Sequence, residues 1–191
     1  MSKKIINILK KETAYNGFLS INRVTLEHSL FAGGMSGPVV REVLERGHSV
    51  AVLIRDPVAD EVVLVEQFRI GAVESDNPWL TELVAGVIEP GEQPEDVARR
   101  EALEESGAEV SSLEFITHYY CSVGGSTETT IIFYAEINAD NVGGIHGVET
   151  EDEDIRVIKM PTPEFINMLE DGRIHTASLM IAGLWLKNKL R

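Results

Sequence analysis

The sequence predicts an α+β fold built on a mixed sheet with few helices. Three observations carry this. Apolar, β-branched runs of strand length dominate, "SVAVLIRD" (49–56) and "EVVLVEQFRI" (61–70) among them. Helical patterning is confined to residues 94–106 and to a C-terminal pair, 162–171 and 175–190. The elements do not alternate as regular βαβ units.

Taken in order, "GFLSINRVTLEHSLF" (17–31) alternates apolar and polar and predicts a strand or strand pair; "AGGMSGP" (32–38) is a turn. "VVREVLERG" (39–47) admits either helix or strand. The runs 49–56 and 61–70 flank "PVAD", whose Pro57 and Asp60 suit a turn, so they form a hairpin. "WLTELVAGVIE" (79–89) is a further strand region interrupted at Gly86. Residues 94–106 are a helix: Pro94 fits its first position, Glu95 and Asp96 its positive end, and Gly107 its C-terminal stop. Strands at 113–121 and 130–137 enclose "SVGGSTET". A long acidic loop (139–154) leads into the strand "IRVIKM" (155–160). In the last helix, Met180, Ile181 and Leu184 form the apolar face.

Composition bounds the function. The 191 residues, 43% apolar, suit one globular domain with a small appended element. The net charge is -14, the pI is about 4.7, and no basic stripe is visible, so a nucleic-acid partner is excluded. A small phosphorylated ligand remains open if a cation accompanies it. The lone Cys121 cannot pair within the chain, and no CxxC pattern offers a zinc site; it reads as a buried free thiol in a reducing cytosol. The five histidines form no metal cluster, and His146, in the acidic loop, is assigned no role. "IINIL" near the N-terminus is too short for a signal peptide core, and no run reaches the roughly 20 apolar residues of a membrane helix. A soluble cytoplasmic protein is expected.

The stretch "GVIEPGEQPEDVARREALEESGA" (86–108) carries the chemistry. Glu101 shares one helix face with Glu104 and Glu105, and such like-charge neighbours cost roughly 0.2–0.5 kcal/mol per pair. They also sit at the negative end of the helix dipole. A hard cation bound among them, Mg²⁺ or Mn²⁺, would reverse the sign. Taken alone, the triplet reads as a solvated acidic face balanced by Arg99 and Arg100.

The full spacing runs Gly86, five residues, Glu92, seven residues, Arg100-Glu101-Ala102, one residue, Glu104-Glu105, one residue, Gly107-Ala108. It resembles the Nudix box, G-x5-E-x7-R-E-U-x-E-E-x-G-U, at every fixed position, with alanine at both U positions. The resemblance extends over nearly the whole chain and implies an α/β/α sandwich whose loop–helix–loop binds divalent metal. The reaction it implies is cleavage of a nucleoside diphosphate linked to a further group, by water attack on phosphorus. Positioning and charge neutralisation dominate such chemistry. Carried over, Glu101 and Glu105 are metal ligands together with the carbonyl of Ala85, and Glu104 is a further ligand or holds a water of the metal's shell. Arg100 orients the glutamates, Glu92 salt-bridges within the loop, and Gly86 and Gly107 permit the tight backbone.

The segments "REVLERGHSVAVL", "VVLVEQFRIGA", "PWLTELVAGVIEPGE" and "GIHGVETEDEDIRV" are similar to the ADP-ribose pyrophosphatase branch. That similarity implies hydrolysis of ADP-ribose to AMP and ribose 5-phosphate. It implies an acidic loop supplying Glu151 as general base, with Glu149 its neighbouring competitor, and Glu153 as a metal ligand. Arg41 and Arg69 become candidates for phosphate or adenine contact, Phe18 and Glu42 for adenine, and Glu128 for the terminal ribose or a metal. A homodimer follows, with residues 1 to about 45 exchanged between copies and residues 46–191 forming the hydrolase domain. The chain departs from the branch at Val123, where a proline is common, which leaves GDP-mannose and other nucleotide sugars as rival substrates. A non-catalytic nucleotide sensor on the same fold is the alternative of a different class; retention of Glu101, Glu104 and Glu105 argues against it.

Overall fold

The computed structural model describes residues 3–148, 150 and 152–191. The chain forms two compact units: residues up to His48 with Tyr120–Thr129, and Ser49–Tyr119 with Thr130–Arg191.

The first unit is an antiparallel sheet of β1 (Ile6–Asn16), β2 (Ser20–His28) and β3 (Val39–Glu45), in that order. The stretch 39–47, ambiguous by pattern, is thus a strand. The partner of β2 lies upstream: β1 begins in "IINIL", a run to which the pattern assigned no element. All residues of β1 are exposed. An alternation read as one buried and one wet face therefore has nothing to show in a strand exposed on both.

The second unit has the strand order β10-β11-β5-β4-β9-β8, with β6 paired to β5 and β7 to β4. Its members are β4 (His48–Asp56), β5 (Glu61–Phe68), β6 (Trp79–Glu82), β7 (Val84–Ile88), β8 (Glu114–Tyr120), β9 (Thr129–Glu136), β10 (Ile145–His146) and β11 (Ile155–Pro161). The sheet is mixed: β4 runs antiparallel to β5 and parallel to β9. The β4–β5 hairpin turns where expected. Asp56 holds it, its carboxylate accepting the N–H groups of Val58 (2.8 Å) and Ala59 (2.9 Å), and of Ala139 (2.8 Å) in the strand-end loop after β9.

Strands β4 and β5 are continuous apolar runs because both faces are covered. Val50, Val52, Ile54, Val63 and Val65 face α1 (Pro94–Ser106), meeting Val97, Ala98 and Ala102. Ala51, Leu53, Val62 and Leu64 face α2 (Thr162–Glu170) and α3 (Ala177–Lys189), meeting Phe165, Met168, Leu179, Ala182 and Leu186. This is the expected α/β/α sandwich.

Four local expectations are corrected. The strand region 79–89 breaks at the fully buried Leu83, and Gly86 lies inside β7. The acidic loop contains the short strand β10. Helix α3 buries Leu179, Ala182, Gly183 and Leu186, while Leu184 is 49% exposed. "ASLMIAGLWL" is apolar on nearly every side, so its phase cannot be read from pattern alone. Cys121 is exposed rather than buried. Among the described residues, no helix is long and apolar enough to cross a membrane.

Candidate active site

Helix α1 begins at Pro94 and stops at Gly107, whose φ of 73° is left-handed. Its buried stripe is Val97, Ala98, Ala102, Glu105 and Ser106. Glu105 therefore occupies a core position, and it is only 3% exposed. Two donors reach its carboxylate: the Ala85 N–H at 2.9 Å, and Gln67 Nε2 at 3.5 Å. Burial dominates, pushing the Glu105 carboxyl up to about 8; the Ala85 bond and the Arg69 charge oppose it, and the charges of Glu101 and Glu153 reinforce it. Glu101, half-buried one turn earlier, is pushed up to about 7, chiefly by burial, against the attraction of Arg100 and with Glu104 and Glu153 adding repulsion.

Arg100 gathers the remaining carboxylates. Its Nη1 lies 2.8 Å from Glu101 and 3.1 Å from Glu104, and its Nη2 lies 3.8 Å from Glu92. Glu92 also accepts the N–H of Glu89 at 2.9 Å, tying down the loop ahead of the helix. Gly86 faces Glu101 across this site. A Cβ on Gly86 would lie 2.0 Å from Glu101 Oε1, so β7 approaches α1 closely because residue 86 has no side chain. Arg69, just past β5, donates from Nε to Glu82 on β6 at 2.6 Å.

Glu153, at the end of the acidic loop, accepts the N–H of Val148 at 3.1 Å. Its charge is felt at both Glu101 and Glu105. Glu149 and Glu151 lie outside the described residues. The second unit thus brings together Ala85, Gly86, Glu92, Arg100, Glu101, Glu104, Glu105 and Gly107, with Arg69 and Glu153 acting on them electrostatically.

Phe18, Arg41, Glu42 and Glu128 belong to the first unit. Phe18 is fully exposed in the turn between β1 and β2. Arg41 is exposed on β3 and donates to the Val40 carbonyl at 2.8 Å. Glu42 pairs with Arg23 across the β2–β3 ladder at 2.9 Å. Glu128 lies 3.6 Å from Arg46.

Gln67 was missed by sequence reasoning. The signal was present: on β5 it shares the side-chain parity of Val63 and Val65, so it is a polar residue at a core position, 6% exposed. A buried amide needs a polar partner, and Glu105 is that partner.

Among the described residues, no three His, Cys, Asp or Glu side chains form a ready-made metal cage. The donor chemistry nonetheless fits a hard divalent cation. One fully buried and one half-buried carboxylate sit together, opposed by the charges of Arg100 and Arg69, and both carboxyls are held above the usual carboxylate range.

The NUDIX domain family model matches residues 45–180. The ADP-ribose pyrophosphatase of Escherichia coli (strain K12) is 45% identical over 186 residues, covering 97% of this chain and 89% of that one. The GDP-mannose pyrophosphatase of Yersinia enterocolitica is 36% identical over 176 residues, covering 91% and 90%. A crystal structure of an ADP compounds hydrolase superposes with a TM-score of 0.70 at 20% identity, covering 96% of this chain and 95% of that one; it speaks for the fold.

Proposed function

Because the chain belongs to the NUDIX domain family, we propose that it hydrolyses the pyrophosphate bond of ADP-ribose, giving AMP and ribose 5-phosphate. Water forms the new P–O bond, the anhydride P–O bond breaks, and a carboxylate takes the water's proton. The observation that carries the reading is Glu105, a carboxylate at a core position of α1 with Glu101 one turn away, which suits a cation-dependent centre.

A divalent cation, Mg²⁺ with Mn²⁺ as substitute, would neutralise pyrophosphate oxygens and polarise the attacking water. Glu101, Glu104, Glu105, Glu153 and the Ala85 carbonyl would hold it. Arg100 fixes the direction of Glu101 and Glu104, and the Ala85 N–H fixes Glu105. Arg69, anchored on Glu82 through Nε, presents its Nη groups to phosphate oxygens. Glu151 is the general base. Glu153, two residues on in the same loop, acts electrostatically on Glu101 and Glu105, which supports that role.

Phe18 and Glu42 would serve adenine, Arg41 a phosphate, and Glu128 the terminal ribose. These four sit on the unit whose strand β1 is exposed throughout, with Ile6 at 67% and Ile8 at 64%. A strand that exposes Ile6, Ile8 and Leu9 is suited to a second copy of the chain, and a homodimer exchanging residues 1 to about 45 is the assembly we propose. A cytoplasmic location suits a chain with a single cysteine.

Hydrolysis of GDP-mannose is the second reading, favoured by the 36% identical relative and by Val123. The test is phosphatase-coupled hydrolysis of ADP-ribose, GDP-mannose, NADH, diadenosine polyphosphates and 8-oxo-dGTP with Mg²⁺, with and without EDTA. EDTA-sensitive preference for ADP-ribose supports the proposal. Preference for GDP-mannose moves the specificity and keeps the chemistry, and no hydrolysis of any compound overturns the catalytic reading.

A further inference from the structure

The acidic loop leaves and rejoins the sheet through β10 and β11, which share only two residue pairs, Ile145↔Arg156 and His146↔Ile155. A ladder that short does not hold a loop by itself. Ile155 is fully buried and Arg156 is ion-paired with Glu66, so the β11 side is anchored. On the β10 side the Gly144 carbonyl accepts the Val157 N–H at 3.0 Å, and His146 is the side-chain anchor.

The His146 ring lies over the end of α1. Its Cε1 is 3.2 Å from the point where a Cβ on Gly107 would stand, and its Nε2 is 3.7 Å from the same point. Gly107 thus serves twice: it adopts the left-handed φ that stops the helix, and it leaves the space the imidazole fills. Nε2 also lies 2.9 Å from the Gly143 carbonyl. A carbonyl only accepts, so Nε2 carries the proton and donates. One side chain therefore joins the end of the helix bearing the carboxylates to the glycine turn that precedes β10 within the acidic loop. Immediately beyond it the loop closes on itself: Val148 donates to the Glu153 carboxylate, and a Cβ on Gly147 would meet the Glu153 carbonyl oxygen at 2.7 Å.

We propose that His146 is a positioning residue, setting the distance between the loop carrying Glu153 and the C-terminal end of α1. It acts through the Gly107 contact and the Gly143 hydrogen bond, and touches neither substrate nor the reacting atoms. The catalytic consequence rests on the reading of the acidic loop given above; the geometric one does not. A misplacement of about 1 Å in such a centre costs up to roughly 100-fold in rate.

The test compares His146→Ala, His146→Phe and His146→Gln in the full-length protein. Gln keeps an amide donor near the Nε2 position, and Phe keeps a ring without a donor. Two readouts are taken: amide hydrogen exchange over residues 147–154, and kcat and KM for ADP-ribose with Mg²⁺. The expected result for Ala is faster exchange confined to 147–154, a kcat roughly 10- to 100-fold lower, and KM and Tm close to wild type. Gln restores most of both readouts, and Phe restores less. Wild-type exchange over 147–154 in the Ala variant overturns the proposal. So does a rate loss that follows a fall in Tm and is not recovered by Gln, which marks a merely structural ring. If the wild-type protein hydrolyses no ADP-ribose, the functional reading fails while the exchange data still decide whether His146 holds the loop.

Discussion

Glu105→Gln separates the cost of burying a carboxylate from the work it does. In the folded chain its carboxyl is raised from 4.5 to about 8, mainly by burial. The group is therefore most compatible with folding when protonated: its contribution is intact below the unfolded value near 4.5 and is lost as pH rises through the folded value near 8. Linkage at about 1.4 kcal/mol per pH unit puts the penalty at under 1 kcal/mol at pH 5 and at about 4 kcal/mol at pH 8. The amide is nearly isosteric, stays neutral, and offers its carbonyl to the Ala85 N–H, while Gln67 turns its own oxygen toward the new NH₂. In EDTA, urea unfolding should therefore show the variant gaining roughly 3 kcal/mol on the wild type between pH 5 and pH 8. Titrating groups remote from residue 105 affect both proteins alike and cancel in the difference; Glu101 and Glu153, whose charges act on Glu105, do not. Adding Mg²⁺ should stabilise the wild type more than the variant, and the variant should lose most of its turnover. Parallel pH profiles for the two proteins, or equal stabilisation by Mg²⁺, would refute the account of Glu105 as a buried carboxylate awaiting a cation.

Other perturbations address separate parts of the structure. Gly86→Ala places a methyl where Glu101 Oε1 stands, at 2.0 Å; hydrolysis should fall at least about tenfold while Tm moves by only a few degrees, and unaltered kcat would mean that Glu101 is free to move aside. Glu151→Gln should lower kcat with little change in substrate affinity, measured by calorimetry in the presence of Mg²⁺; unchanged turnover would move the general base to another loop carboxylate. Asp56 accepts three backbone N–H groups, led by that of Ala139, which hold its carboxyl below the usual range. Its contribution is therefore present above the unfolded value and is lost as pH falls through the lower folded one. Asp56→Ala should thus lower Tm at pH 7 and converge on the wild type in acid, checked by thermal scans across that range.

Legibility followed the range of the interactions. Helix α1 was readable to its last residue because every signal lies within it: Pro94 at the start, two acids in the first turn, Gly107 at the stop. The hairpin of β4 and β5 was readable because Pro57 and Asp60 are local turn chemistry. Strand β1 was not, because nothing in "IINILKKETAYN" shows which face is covered when neither is. The break at Leu83 was missed for a related reason: a fully buried leucine looks like the interior of a strand, whereas a glycine looks like its interruption. Gly86 is there for Glu101, a partner 15 positions away in sequence.

The same distinction separates the α1 centre from the residues proposed to choose a substrate. Glu92, Glu101, Glu104, Glu105, Arg100 and the two glycines lie within 23 residues, so their spacing survives as a pattern. Gln67 and His146 reach that centre from β5 and β10 through contacts that no spacing encodes, yet each left a trace: one is a polar residue on the apolar side of a strand, the other a ring beside an unusually glycine-rich turn. Phe18, Arg41, Glu42 and Glu128 left none, because an exposed aromatic and a paired surface charge look the same with or without a ligand. The substrate can therefore be distinguished by variants of those four residues. If ADP-ribose is bound through the first unit, Arg41→Ala and Phe18→Ala should raise KM and leave kcat near wild type, since they supply binding shared by ground and transition states. A fall in kcat at constant KM would place them in the chemistry, and no effect on either would leave Arg69 as the phosphate contact the chain must rely on.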